Sequence, residues 1–266
     1  MTAGEDVPRK RRIRYRGTHP RRFEEKYKEL DPARYTADTE KVIARGQTPA
    51  GTHRPICVQP ILEILSPRPG DIGLDATLGF GGHAREVLPR LRPGGRLYGL
   101  DVDPVELPRA ERRLRDLGFG EDVLQVRRMN FAGIASLREE LGRGFDFVLA
   151  DLGVSSMQID NPARGFTFKA EGPLDLRLNP EQGRSAAELL RTATESELVL
   201  MLYDHADEPH AEEIARAILE RQGRIATTTD LAEAVRHALK GLPKAEREEA
   251  TSASLQRTFQ ALRIAV

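Results

Sequence analysis

From Arg54 onward, short apolar runs alternate with stretches in which apolar residues recur every three or four positions. "IGLDATL" is the first run and predicts a strand. Gly79–Gly82 turn the chain, and His83–Leu91 reads as a helix. Gly94–Gly95 precede a second strand, "RLYGLD". Asp103 followed by Pro104 marks a helix start, because Asp accepts from the free amides of a first turn and Pro needs no partner there. Leu107, Leu114 and Leu117 follow at near-helical spacing. "VLQVRR" predicts a third strand. A helix with Ile134, Leu137 and Leu141 on one face closes at Gly142. "FDFVLA" is the fourth strand, apolar throughout as a strand buried on both faces should be. Repeated units of strand and helix predict an α/β fold with a parallel, doubly wound sheet.

The rhythm then stops. "DLGVSSMQIDNPARGFTFKAEGPLDLRLNP", Asp151–Pro180, has neither period and carries three glycines and three prolines. Connections this long are uncommon in compact domains and are usually functional or disordered. Val154, Met157, Ile159, Phe166, Phe168 and Leu174 are available as anchors, so an ordered, functional loop is expected. Beyond it the pattern is helical: Ala186–Thr192, Glu195–Tyr203 and Glu208–Gln222. A further helix has Asp230 and Glu233 at capping-box spacing, and "LQRTFQALRIAV" starts one more.

Composition narrows the class. No run approaches the roughly 20 apolar residues of a spanning helix, and no apolar stretch follows the charged N-terminus as in a secretory signal. A lone cysteine, Cys57, allows no internal disulfide and no Cys-based zinc motif. It sits among apolar neighbours and is expected to be buried filler. A cytoplasmic protein fits best. Lys plus Arg is 41 and Asp plus Glu is 41, but Arg9–Arg22 holds eight basic residues and no acid. Such a run attracts polyanions and reads as an RNA-binding arm, with a solvated tail as the other reading.

Four stretches carry chemistry. "DATLGFGGH", Asp75–His83, puts a glycine turn and a helix N-terminus after the first strand, where backbone approaches a ligand. The pattern is G-x-G-G rather than the G-x-G-x-x-G of dinucleotide enzymes, and Asp75 before the turn suits a ligand bearing an amino group and a sulfonium charge. In "GLDVDP", Asp101 ends the second strand about 20 residues on, where an acid takes ribose hydroxyls. This spacing points to an adenosine-containing ligand without choosing between NAD and S-adenosylmethionine. In "MNFAG", Phe131 stands where an aromatic covers an adenine; position alone leaves a core or loop-anchoring role open. Asp151 begins the long loop beside the switch point of the sheet. Within that loop Asp160 with Arg164, and Asp175 with Arg177, read as ion-paired ties. No His/Glu cluster has metal spacing.

Together these stretches resemble one family, the bacterial small-subunit (16S) ribosomal RNA cytosine-N4 methyltransferases known as RsmH or MraW. The loop resembles that family's signature almost end to end, and "DATLGFGGH", "GLDVDP" and "RTFQALRIAV" match in order, over roughly residues 53–266. The resemblance implies a Rossmann-like methyltransferase sheet, S-adenosylmethionine as donor, and a cytidine of the ribosomal decoding region as acceptor. Small-subunit rRNA or the 30S subunit is the implied partner. It assigns cofactor contacts to Gly81, Gly82, His83, Asp101, Phe131, Asp151 and Gln158. With the basic extension 1–53 that the residues themselves show, it divides the chain into a methyltransferase domain 54–179, a helical substrate-recognition insert 180–250, and a return helix 251–266. Beyond what the resemblance assigns, Asp151, or a backbone carbonyl beside it, is the candidate hydrogen-bond acceptor for the amine, which makes Asp151 the candidate catalytic residue.

Two departures from the family set further expectations. The basic segment before Arg54 is longer than usual. The chain ends at Val266, where family members continue into further strands, so an incomplete sheet with a bare edge at strand four is expected. That edge predicts self-association and slow turnover. The alternative reading is a non-catalytic RNA- or ribosome-binding protein that keeps the fold; a nicotinamide oxidoreductase is disfavoured by G-x-G-G.

Overall fold

The structure, a computed structural model, describes residues 55–266. The basic run Arg9–Arg22 and the helix expected near Phe23–Leu30 lie outside the described residues. Helix α1 (Val58–Leu65) leads into β1 (Ile72–Asp75), then α2 (Gly82–Leu91), β2 (Arg96–Asp101), α3 (Glu106–Asp116), β3 (Leu124–Arg128), α4 (Ile134–Leu141) and β4 (Phe147–Leu149). The four strands form one parallel sheet in the order β3-β2-β1-β4. The chain therefore winds outward from β1 through β2 to β3, then returns to lay β4 on the other side of β1. That reversal opens a crevice between the carboxyl ends of β1 and β4, the place where such sheets bind ligands. Close packing depends on one glycine in β1: a Cβ on Gly73 would lie 2.1 Å from the Phe147 ring of β4.

The two faces of the sheet are covered unequally. On one, Val87, Leu88 and Leu91 of α2 and Leu107, Ala110 and Leu114 of α3 join Leu97, Leu124 and Phe147 in a broad core. On the other, Leu74, Tyr98 and Leu100 meet chiefly α4 through Leu137. Val148 of β4 is in register with Leu74 and shares this second face, yet it is 49% exposed. The expectation of a fourth strand buried on both faces is thus corrected: the cover ends before the edge strand, and only Phe147 is fully packed.

The remaining helices are α5 (Ser156–Asp160), α6 (Ala186–Thr192), α7 (Glu195–Ala206), α8 (Ala211–Leu219), α9 (Thr228–Ala238) and α10 (Lys244–Ala265). From α6 on they build their own core around Leu190, Leu198, Leu202, Ile214, Ile218, Leu231 and Val235. Leu255, Phe259 and Leu262 of α10 pack into it as well. Three capping boxes start these helices, at Ser185/Glu188, Thr194/Glu197 and Thr227/Asp230. In each, hydroxyl and carboxylate satisfy one another's free backbone amides. The last corrects the sequence reading: Asp230 is the third helical residue and Thr227 the cap. A second correction concerns α10, which begins at Lys244 rather than Leu255. Its first two turns are exposed and lack an apolar face, but Lys, Ala, Glu and Arg are strong helix formers.

The long loop joins both cores. Its first part holds α5 and a 3-10 turn, Pro162–Arg164. Its second part, through Phe166, Leu174 and Leu176, is buried in the helical core. Backbone hydrogen bonds fasten it there: Leu174 donates to Ala226 at 2.9 Å, and Thr228 donates to Gly172 at 3.0 Å. Cys57, expected in the interior, is exposed and sits at φ 51° just before α1.

Candidate active site

Four elements bring titratable groups to the carboxyl end of the sheet. Asp75 ends β1 and is 3% exposed; its Oδ1 accepts from the Thr77 amide at 3.1 Å. Asp101 ends β2, and both its oxygens accept backbone amides, from Gly79 at 2.8 Å and Asp103 at 2.9 Å. The acid thus ties the glycine turn to the second strand. A carboxylate has about four lone-pair positions, so acceptor capacity remains on each oxygen. His83 lies in the first turn of α2, preceded by Gly81 at φ 81°. Its Nε2 donates to the Ile56 carbonyl at 3.0 Å, and Nδ1 lies 3.9 Å from Asp151 Oδ2.

Asp151 follows β4 by two residues. Its amide donates to Thr77 Oγ1 at 2.7 Å, a bond that spans the crevice between β1 and β4. Its side chain is 52% exposed, so the carboxylate is accessible to a substrate. Phe131 lies just past β3 in a 3-10 turn capped by Asn130, and its ring is part-exposed at 45%.

The electrostatics follow from this crowding. Burial pushes the Asp75 carboxyl up to about 7; the Thr77 amide and His83 pull it back, and Asp101 and Asp151 push it further up. Among the described residues no Lys or Arg forms an ion pair with Asp75, Asp101 or Asp151; the imidazole of His83 stands beside Asp151. The set is short of positive charge.

Of the residues expected from sequence, the structure brings Gly81, Gly82, His83, Asp101 and Asp151 to one end of the sheet and leaves Phe131 beside it. Gln158 has a different setting. It is buried, its Oε1 accepts from the Ser155 amide at 2.8 Å, and its Nε2 donates to Asp103 Oδ2 at 2.7 Å. Asp103 is the residue that sequence reasoning undervalued. It does cap a helix start, its Oδ1 accepting from Val105 at 2.9 Å and Glu106 at 3.2 Å. Its Oδ2 also receives Arg164 at 2.8 Å. With 0% exposure, Asp103 is the buried post to which the long loop is tied. Arg164 further donates to the Leu178 carbonyl at 3.0 Å. Asp175 and Arg177 form the expected local pair, at 2.7 and 2.8 Å. The only sequence signal for the Asp103 junction was a second acid two residues beyond the ribose-type acid.

A parallel sheet wound 3-2-1-4, with a glycine turn after β1, an acid ending β2 and carboxylates at the switch point, defines a Rossmann-like domain of the methyltransferase type. The chain belongs to the MraW methylase family, whose sequence pattern it matches over residues 50–266. It is an enzyme of methyl transfer. Among its relatives, Ribosomal RNA small subunit methyltransferase H 1 of Lachnoclostridium phytofermentans is 54% identical over 268 residues, covering 100% of this chain and 73% of that protein. Ribosomal RNA small subunit methyltransferase H 2 of Alkaliphilus metalliredigens is 54% identical over 261 residues, 97% of this chain and 74% of that one. The corresponding methyltransferase H 1 of Agathobacter rectalis is 51% identical over 265 residues, 98% and 76%.

Proposed function

We propose that this enzyme uses S-adenosylmethionine to methylate the exocyclic N4 of a cytidine in the decoding region of small-subunit rRNA. The observation that carries the donor is the carboxylate set. Asp75, Asp101 and Asp151 with a single histidine suit a ligand bearing ammonium and sulfonium charge, and they oppose the pyrophosphate of a nicotinamide dinucleotide. The acceptor rests on the relatives, which are named for small-subunit ribosomal RNA, and on the loop signature.

In this reading Asp101 takes the ribose hydroxyls, Phe131 covers the adenine, and the glycine turn with the first amides of α2 receives the amino-acid end. Bound there, the donor supplies an electrophilic methyl group on sulfur. The target base leaves its stack to reach the crevice, as enzymes acting on bases require. The N4 lone pair is delocalised into the ring, so the amine needs an acceptor that draws one N–H aside and aims the lone pair. The exposed Asp151 carboxylate does this. Its backbone is pinned by Thr77, and His83 Nδ1 lies 3.9 Å from its carboxylate. Alignment of this kind supplies much of the rate in a displacement. The proton lost by the amine passes to Asp151 and then to water. The long loop, anchored on Asp103 and on the helical core, forms the wall over the base, and the helices from α6 onward are assigned to substrate recognition.

Calorimetry tests the donor. S-adenosylmethionine and its demethylated product should bind, and NAD should not. Asp101→Ala should weaken both by roughly 1.5–3 kcal/mol, the range for hydrogen bonds to a charged group. Binding of NAD without response to either sulfur nucleoside would overturn the reading.

A further inference from the structure

Asp75 belongs to the acidic set that suits the donor but takes no part in the transfer steps above, and its position is unusual. A carboxyl that is almost wholly buried is ordinarily paired with a base or neutralised. Among the described residues, Asp75 accepts one hydrogen bond, from the Thr77 amide at 3.1 Å. Its β-sheet neighbours in register are Gly99 and Leu149, neither of which offers a side-chain donor. The titratable groups that act on it are His83 from α2, Asp101 from β2 and Asp151 beyond β4. Two of these three are further acids, and His83 is placed nearer to Asp151, at 3.9 Å. Three carboxyl groups thus share one end of the sheet with one imidazole, and the most buried of them has the least compensation.

A group so placed responds to whatever charge enters the crevice. A ligand with a positive sulfur favours the ionised carboxyl; the same ligand without its methyl group, now a neutral thioether, restores the conditions under which the carboxyl holds a proton. We propose that Asp75 is the residue by which the site distinguishes methyl donor from demethylated product, releasing a proton to solvent when the cationic donor binds and regaining one when the neutral product is left. This inference rests on the donor assignment made above. It makes Asp75 a specificity-determining residue for turnover: each catalytic cycle weakens the product's hold by removing the charge that kept the carboxylate ionised. Burial that lifts Asp75 to about 7 places the exchange within the working range of pH.

The test is a proton count. The full chain is titrated with S-adenosylmethionine and, separately, with S-adenosylhomocysteine in phosphate and in Tris, whose ionisation enthalpies differ. The dependence of binding heat on buffer gives the protons exchanged. Near pH 6, donor binding should release close to one proton more than product binding does. Below pH 7 the preference for donor over product should rise about tenfold per pH unit and then level off. Asp75→Asn keeps an acceptor for the Thr77 amide, so it should still bind product while its proton release vanishes and its preference becomes independent of pH. Equal proton counts for the two ligands in the unaltered protein would overturn the proposal whatever the variant does. Release that persists in Asp75→Asn would also overturn it, by assigning the proton to another group. Failure of both sulfur nucleosides to bind the unaltered chain would instead reject the donor assignment.

Discussion

Asp75 and Asp103 are both buried acids at the head of the sheet, but their partners differ. Asp103 receives four donors: two helix amides, Gln158 and Arg164. Removing a carboxylate from such a site leaves a largely buried guanidinium and an amide without their acceptor. Asp103→Ala should therefore cost about 3–5 kcal/mol, the range for breaking a buried ion pair. Chemical denaturation checks this; a loss below about 1 kcal/mol would show that water replaces the carboxylate freely. For Asp75 the question is its own titration. An acid held above its ordinary value favours the fold below that ordinary value and loses this contribution as pH rises through the folded one. For Asp75 the window runs from 3.8 to about 7. Asp75→Asn should match the unaltered protein near pH 4 and exceed it at pH 8, by a margin on the order of a few kcal/mol. Thermal unfolding of the pair at both pH values gives the answer, and equal stability at pH 8 would refute it. Sequence alone marked Asp75, Asp101 and Asp151 through their places at strand ends. It had no means of ranking Asp103, because its partners Gln158 and Arg164 lie 55 and 61 positions away.

At the scale of elements, legibility followed periodicity. The strands and the helices α2, α4 and α6 were readable because each turns one apolar face to a neighbour. The start of α10 was not, since Lys244–Ala250 has helix propensity without a buried face, and α5 was hidden inside a loop with no rhythm. The true cap of α9 was missed because two acids three apart resembled a box, while Thr227 supplied the hydroxyl. The edge strand is the clearest case of context overriding pattern. "FDFVLA" reads as doubly buried, but burial needs cover on both sides, and on the face of Val148 the cover is chiefly α4. Among the described residues no strand lies beyond β4. An uncovered strand edge with an apolar residue on it invites pairing between copies. Sedimentation should then show concentration-dependent association that Val148→Lys reduces. Identical monomeric profiles for both proteins would rule out pairing through this edge.

For the whole molecule, charge separates two tasks. Residues 55–266 hold 27 of the 41 basic side chains and 33 of the 41 acidic ones, so this unit is net acidic. The positive charge is concentrated before Pro55, above all in Arg9–Arg22. Deleting residues 1–22 should weaken RNA binding without altering donor affinity. Each phosphate that the shortened chain no longer neutralises should lower the salt slope by about 0.7 for single-stranded RNA; an unchanged slope would make the run a solvated tail. The family signature in the loop and the carboxylates at the strand ends meet in one claim, that this crevice moves a methyl group onto cytosine N4. The most direct measurement incubates the chain with small-subunit rRNA or 30S subunits and methyl-labelled S-adenosylmethionine, then digests the RNA and identifies the labelled nucleoside. Label is expected in N4-methylcytidine from a single decoding-region position, strongly reduced by Asp151→Ala. Label in another nucleoside, or N4-methylcytidine formed undiminished by Asp151→Ala, would contradict that claim.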